Sequence, residues 1–539
     1  MAEKVYEGQL CVLGNELGYM EKGPGRKFLP TPLDNMEVYA NRFGELPAKV
    51  AAFLEEHMKR RKLLEASPPA PLVWPKSKEG YELDELQLLM MEGLVREMNG
   101  RTLIPLPPGF GKTPLGALGA YYFAGASVFL VPKDKCEEWA EHIDSWCAGH
   151  FTTIKVIKSA KDGVKFLTEH HEDRRSRTAV VISLGLIKDK GLCDALDTWT
   201  FRTLVVDEAH VIKDPQSQRA KAVFRVSSKT PACILLTGTP FTNKGGDLFS
   251  LMHALHPQVF DNFLQFSERY CGGKTIMGRW VETHLLRVGE LLLAKDACFL
   301  KVTEEQKEAA LKRLPPLTVS SVVLPEPSMA FKRTYDELKA RHDALQQKCN
   351  DAKRENKEED GARFERQRQA EVGKMCRLTG KEKAAPIATY VSDTILPNLG
   401  PRQSVAVFCI HHETAQLIEA ELRKRGQGCV VVTGNMPAGK RREAFAPFKM
   451  GTRKDDCKVL VLTLNASYQG IQLQPGVTVV IQGEYSFTPY KEDQAPGRAH
   501  RKGATDPIQY IRLELPHSSD TRTTSIQGSK ENKRIRLEC

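Results

Sequence analysis

Three short segments of this chain carry residue types that together could do phosphate chemistry. Pro108–Thr113 reads Pro-Gly-Phe-Gly-Lys-Thr, 207–210 reads Asp-Glu-Ala-His, and Gln494–Gly503 reads Gln-Ala-Pro-Gly-Arg-Ala-His-Arg-Lys-Gly. In the first, Gly109 and Gly111 would let backbone N–H groups face phosphates at a helix start. Lys112 would reach the β and γ phosphates, and the Thr113 hydroxyl would ligate magnesium. In the second, Asp207 ends an apolar run and would hold the same ion, while Glu208 would position and activate a water. His210 would couple that site to Leu-Thr-Gly-Thr-Pro at 236–240, where Thr237 and Thr239 suit a sensor of nucleotide state. In the third, Gln494, Arg498 and Arg501 are expected on one helix. Arg498 and Arg501 lie three apart, share a face, and would reach a γ-phosphate across a cleft. Each segment alone has a plainer reading: a glycine turn, a solvated acidic loop, a strand-ending turn, a basic surface helix. Their combination favours ATP with magnesium.

These segments need elements to hold them. Candidate strands over 102–106, 127–131, 179–183, 204–207 and 232–237 alternate with helical stretches, and the motif residues fall at the strands' C-terminal ends. A second series covers 404–410, 429–433, 459–464, 477–482 and 508–513. The expected fold is α/β, with two lobes built on parallel sheets flanking a nucleotide cleft. Residues 81–315 form the first lobe and 381–514 the second. Between them, 316–380 is expected as a helical protrusion, with Lys332–Gln369 highly charged. It reads as a solvated helix pair or as a coiled coil that binds a protein partner. Residues 1–80, with a basic amphipathic helix over 48–64, are an arm packed on the motor or a small accessory module. The tail 515–539 is polar, with a basic cluster at 533–536, and reads as flexible.

Composition narrows the class. With 41% hydrophobic and 27% charged residues, the 539-residue chain suits a soluble globular protein. The net charge of +11 is compatible with a polyanionic partner without requiring one. Thirteen cysteines stand singly, with no Cys-x-x-Cys pair, which argues against zinc fingers and a disulfide framework. No secretory signal pattern opens the chain. The chargeless stretch between Lys112 and Lys133 is long enough to cross a bilayer, but Gly116, Gly119, Gly125 and two prolines fit a buried helix and strand better.

The motifs, in this order, resemble the Swi/Snf branch of superfamily 2 helicase-like ATPases over roughly residues 81–514. Leu86-Gln87 looks like that family's adenine-reading glutamine. Val131-Pro132 with Trp139 and Trp146 resembles the segment after its second strand, and both tryptophans are expected to pack rather than to touch ligand. Arg377-Leu378-Thr379-Gly380 with Lys383 resembles the start of its second lobe. The segment 266–271 with the compact linker points to the fork-remodelling, annealing-helicase subgroup. The resemblance implies two RecA-like lobes, ATP and Mg²⁺ as cofactors, duplex or branched DNA as partner, a DEAH box, and work in DNA repair or chromatin remodelling. It also implies a nuclear address if the source is eukaryotic, cytoplasmic otherwise, and a coupling role for Gly470. DNA would meet groups near Pro132-Lys133, His411-His412 and Gln469-Gly470. Departures stand at Pro105–Pro108, Asn465, Tyr468 and Ala504, and they bear on DNA coupling more than on hydrolysis.

The expected function is therefore a DNA-dependent ATPase that translocates on or remodels DNA. Two rivals stand beside it: a non-hydrolysing scaffold that binds DNA or a partner, and a strand-separating RNA or DNA helicase.

Overall fold

The computed structural model describes residues 8–13, 16–21, 28–30 and 47–524, apart from 68, 108, 171–176, 239–244, 277–278, 282–285, 356, 435, 451–456, 464–472, 487–491, 493–494 and 502. Two compact units divide between Ala310 and Leu311.

At the start of the chain, β1 (Gly8–Leu13), β2 (Glu16–Glu21) and β3 (Phe28–Pro30) form an antiparallel sheet. The first unit is built on six parallel strands: β4 (Arg101–Ile104), β5 (Ser127–Val131), β6 (Thr153–Ile157), β7 (Thr178–Ser183), β8 (Thr203–Asp207) and β9 (Ala232–Leu236). Their spatial order is β4-β9-β8-β5-β7-β6. Four of these strands are buried at every position. Runs such as Leu-Val-Val and Cys-Ile-Leu-Leu fit a sheet covered on both faces, because parallel strands joined by helical crossovers leave neither face to water. β4 stops at Ile104, two residues short of the expected end, where Pro105 and Pro107 remove ladder donors.

The uncharged stretch after Lys112 is the helix Lys112–Phe123 followed by β5, and among the described residues no helix is long and apolar enough to cross a membrane. The helix Ala48–Ala66 packs Val50 and Leu54 into the first unit's core, and Lys78 N donates to Ser145 O at 3.0 Å. The described part of the N-terminal stretch is thus continuous with this unit.

In the second unit lie β12 (Leu317–Val323), β13 (Ser404–Cys409), β14 (Cys429–Val432), β15 (Val459–Thr463), β16 (Val477–Gln482) and β17 (Ile508–Glu514); a short hairpin, β10 (Lys274–Ile276) with β11 (Arg279–Val281), precedes them in the first. The spatial order is β12-β17-β16-β13-β15-β14, again all parallel. One expectation needs correction here. The segment 316–380 is not wholly a helical protrusion, since β12 joins the sheet edge beside β17. Its helices, Met329–Arg354 and Glu358–Tyr390, do form, but the second runs through the expected boundary at 380/381. Ile387, Ala388 and Val391 sit in the core under β13 and β16, so the helix is part of the lobe it leads into.

Candidate active site

The phosphate-loop region begins where β4 ends. Gly109 and Gly111 both take positive φ, 90° and 75°, a backbone region open to glycine and costly for other residues. Gly111 caps the helix Lys112–Phe123 with no side-chain hydrogen bond, so the first-turn N–H groups have no side-chain cap from it. Lys112 Nζ donates to the carbonyls of Leu106 (2.8 Å) and Pro107 (3.1 Å), folding its ammonium back over the loop. Thr113 follows on the first helical turn, half-buried.

Gln87 is anchored on both ends of its amide. It completes a capping box with Asp84 at the start of the helix Glu85–Glu92, accepting from Asp84 N at 3.0 Å. Its Nε2 donates to Phe110 O (3.3 Å) and Gly111 O (3.2 Å). In this conformation the carboxamide braces the loop.

β8 carries the acidic pair. Asp207 Oδ1 accepts the N–H of Glu208 at 2.9 Å, and Oδ2 accepts the indole N–H of Trp139 at 3.0 Å. Lys135 Nζ lies 3.9 Å from the same oxygen. Burial pushes the Asp207 carboxyl upward and the Glu208 charge adds to that, against Lys135, Lys112 and the Trp139 hydrogen bond. Glu208 sits at φ 52°, ψ 47°, left-handed for a residue with a Cβ, a strain on the order of 1 kcal/mol of the kind that collects at functional sites.

His210 joins two motifs. Its Nδ1 is 3.4 Å from Glu208 Oε2 and 3.2 Å from Thr237 Oγ1. Burial lowers the His210 pKa, with Lys213 and Lys112 acting in the same direction and the two carboxylates opposing them. Lys112, Asp207, Glu208, His210 and Thr237 thus gather at the C-terminal ends of β4, β8 and β9; Thr239 lies outside the described residues.

In the second unit the arginine motif departs from expectation. Arg498 ends a 3₁₀ turn, Pro496–Arg498, and Arg501 follows in a bend, so no helix sets a shared face for the two. Pro496-Gly497 at one end and Gly503 (φ 94°) at the other leave too short a run for an α-helix. Arg498 is buried and its carbonyl accepts Leu473 N at 2.9 Å. Gln494 and Gly470 lie outside the described residues, as do Asn465, Tyr468 and Gln469.

Sequence reasoning missed two groups here. Glu484 is buried and accepts from Ile410 N (2.8 Å), His411 N (2.9 Å) and His411 Nδ1 (2.8 Å), which fixes the turn from β13 into the helix His412–Lys424. Asp520 receives the fully buried Lys383 ammonium at 2.7 Å, which also donates to Leu513 O at 2.6 Å and lies 4.7 Å from the Tyr485 ring centre. Neither acid belongs to a motif-like string.

A family model described as the SNF2-related domain matches residues 29–367, more than half of the chain. The chain belongs to the SNF2-related family. A second model, the helicase conserved C-terminal domain, matches residues 388–503 of this SNF2-related chain. Among curated relatives, a Caenorhabditis elegans "SWI/SNF-related matrix-associated actin-dependent regulator of chromatin subfamily A-like protein 1 homolog" is 26% identical over 419 residues, 77% of this chain and 56% of that protein. The human "DNA annealing helicase and endonuclease ZRANB3" is 24% identical over 455 residues, 81% of this chain and 39% of that one. The SNF2-related chain thus spans about half or less of the length of these two relatives. A solved structure, "Sulfolobus solfataricus SWI2/SNF2 ATPase core in complex with dsDNA", aligns over 87% of this chain and 95% of its own, at 19% identity and a TM-score of 0.39.

Proposed function

We propose that this chain is an ATP-dependent DNA translocase or remodeller of the Swi/Snf type, hydrolysing ATP on duplex or branched DNA. The observation that carries it is the buried Asp207 beside the strained Glu208 at the end of β8, gathered with Lys112 at the glycine loop in an SNF2-related chain.

The donor set fits magnesium. One carboxylate and one threonine hydroxyl are hard oxygen ligands too few to make a closed cage, which suits an ion that keeps waters and takes phosphate oxygens. Thr113 and Asp207 would hold it, and when bound it would neutralise charge on the phosphates. The chain's own groups then have separate roles. Lys112 exchanges the Leu106 and Pro107 carbonyls for phosphate oxygens. Glu208 accepts a proton from water as the water oxygen bonds to the γ-phosphorus and the bond to the ADP oxygen breaks. His210, between Glu208 and Thr237, is placed to pass a change at one to the other. Arg498 and Arg501 would add positive charge at the γ-phosphate.

Phosphate-dominated DNA contact makes affinity fall steeply with salt and depend little on sequence. The charged helices Met329–Arg354 and Glu358–Tyr390 offer the surface for a protein partner. The reading carries a nuclear location in a eukaryotic source and work in DNA repair or chromatin remodelling.

The test is ATP hydrolysis by the purified protein alone and with single-stranded, duplex or forked DNA or RNA, with Glu208→Gln as blank. Turnover stimulated by duplex or forked DNA and lost in the variant is expected. Turnover no higher than the blank under every condition overturns the reading and leaves a binding scaffold. Displacement of an annealed strand would instead favour a strand-separating helicase.

A further inference from the structure

Trp139 and Asp207 are 68 positions apart in the chain, yet the indole N–H ends on the carboxylate. Packing accounts for a buried aromatic ring, and this one is 1% exposed. It does not account for where the ring nitrogen points. The ring is clamped on two sides. Phe129 of β5 lies 5.6 Å away between ring centres, and Gly116 of the helix Lys112–Phe123 comes so near that a Cβ there would stand 2.8 Å from Trp139 Cη2. The indole therefore wedges between the helix that starts at the glycine loop and β5, the sheet neighbour of the strand that ends in the acid.

A carboxylate oxygen can accept two hydrogen bonds or ligand contacts. On Asp207 the Glu208 N–H engages Oδ1 and the Trp139 N–H engages Oδ2. These two donors, one on each oxygen, fix the rotation of the carboxylate plane, with the Lys135 ammonium 3.9 Å from Oδ2. We propose that Trp139 is a positioning residue for Asp207, holding its carboxylate plane for a divalent cation and, through Gly116, tying that plane to the phosphate-loop helix. This rests on the ATPase reading above. Groups that hydrogen-bond a metal's carboxylate ligand act on metal affinity, and losing one costs about 10–100-fold.

Trp139→Phe keeps an aromatic ring and removes the N–H. Calorimetric titration with ADP across a range of magnesium concentrations separates metal from nucleotide binding. The half-saturating magnesium concentration should rise at least about 10-fold, while affinity for metal-free ADP stays at the wild-type value. Trp146→Phe, at the end of the same helix Cys136–Trp146, is the control and should track wild type. Equal magnesium dependence in Trp139→Phe and wild type overturns the inference. A wild-type protein whose ADP binding ignores magnesium instead overturns the ATPase reading beneath it. Should Trp139→Phe not fold, the wild type decides by nitrogen NMR of its five indoles. Manganese with ADP should broaden one indole N–H resonance ahead of the others, and uniform or absent broadening overturns the inference.

Discussion

Gly380 stands so close to Glu484 that a Cβ on it would lie 2.1 Å from Oε1, and 2.5 Å from Thr414 Oγ1. The long helix Glu358–Tyr390 can approach the turn after β13 only because this residue has no side chain. Glu484 cannot swing aside, because two backbone N–H groups and the His411 ring hold it. Gly380→Ala should therefore destabilise the second unit by about 1–3 kcal/mol, read as a lower urea midpoint. An unchanged midpoint would mean that the helix shifts freely.

Lys112 and Glu208 should fail in different ways. Lys112→Ala removes a phosphate contact and should weaken ATP binding along with turnover. Glu208→Gln removes the proton acceptor and should lower kcat by about 10²–10⁴-fold with nucleotide affinity retained. Equilibrium binding of a fluorescent ATP analogue beside steady-state rates checks the split. Loss of binding in Glu208→Gln would assign that carboxylate to holding nucleotide.

Lys383 and Asp520 form a buried ion pair, and removing one partner leaves the other charge unpaired away from water. Lys383→Met alone should cost about 3–5 kcal/mol. Pairing it with Asp520→Leu should recover part of that, because no charge then stays buried alone. Chemical denaturation of both variants decides. Truncation after residue 515 should resemble Lys383→Met, since the helical turn at 519–524 carries Asp520.

Acid should loosen the first unit through two histidines. Burial, aided by neighbouring arginines, pushes His256 down to about 3 and His57 down to about 4. The unfolded chain takes up these protons near pH 6.5 while the fold keeps both rings neutral, so their contribution is complete above 6.5 and is lost as pH falls toward the folded values. Each pH unit below 6.5 should cost about 1 kcal/mol through His256. Melting temperatures at pH 7.5 and 5.5 should differ more for wild type than for His256→Gln, and equal differences would refute the assignment.

The strands were legible wherever burial on both faces demanded an unbroken apolar run; Ser127–Val131 and Val477–Gln482 stand where the pattern puts them. β6 was not, because Lys155 interrupts Thr-Ile-Lys-Val-Ile at a half-exposed sheet edge. β12 escaped for a similar reason: it is an exposed edge strand set between prolines and charged helices. The arginine spacing suggested a helix and hid the Pro-Gly turn. Of the site, the glycine loop and Asp207-Glu208 could be read locally. The Trp139 bond to Asp207 and the Glu484 bonds to His411 could not, since only the folded sheet brings those residues together.

β12 has a consequence for how the protein is made. Among the described residues it is the first strand of its sheet to leave the ribosome, yet its one strand partner there is β17, the last. At translation rates of about 5–20 residues per second, the intervening chain takes on the order of 10–40 s to synthesise. Throughout that interval Leu317, Val319 and Val323 present an unpaired strand whose apolar side chains remain exposed even after folding.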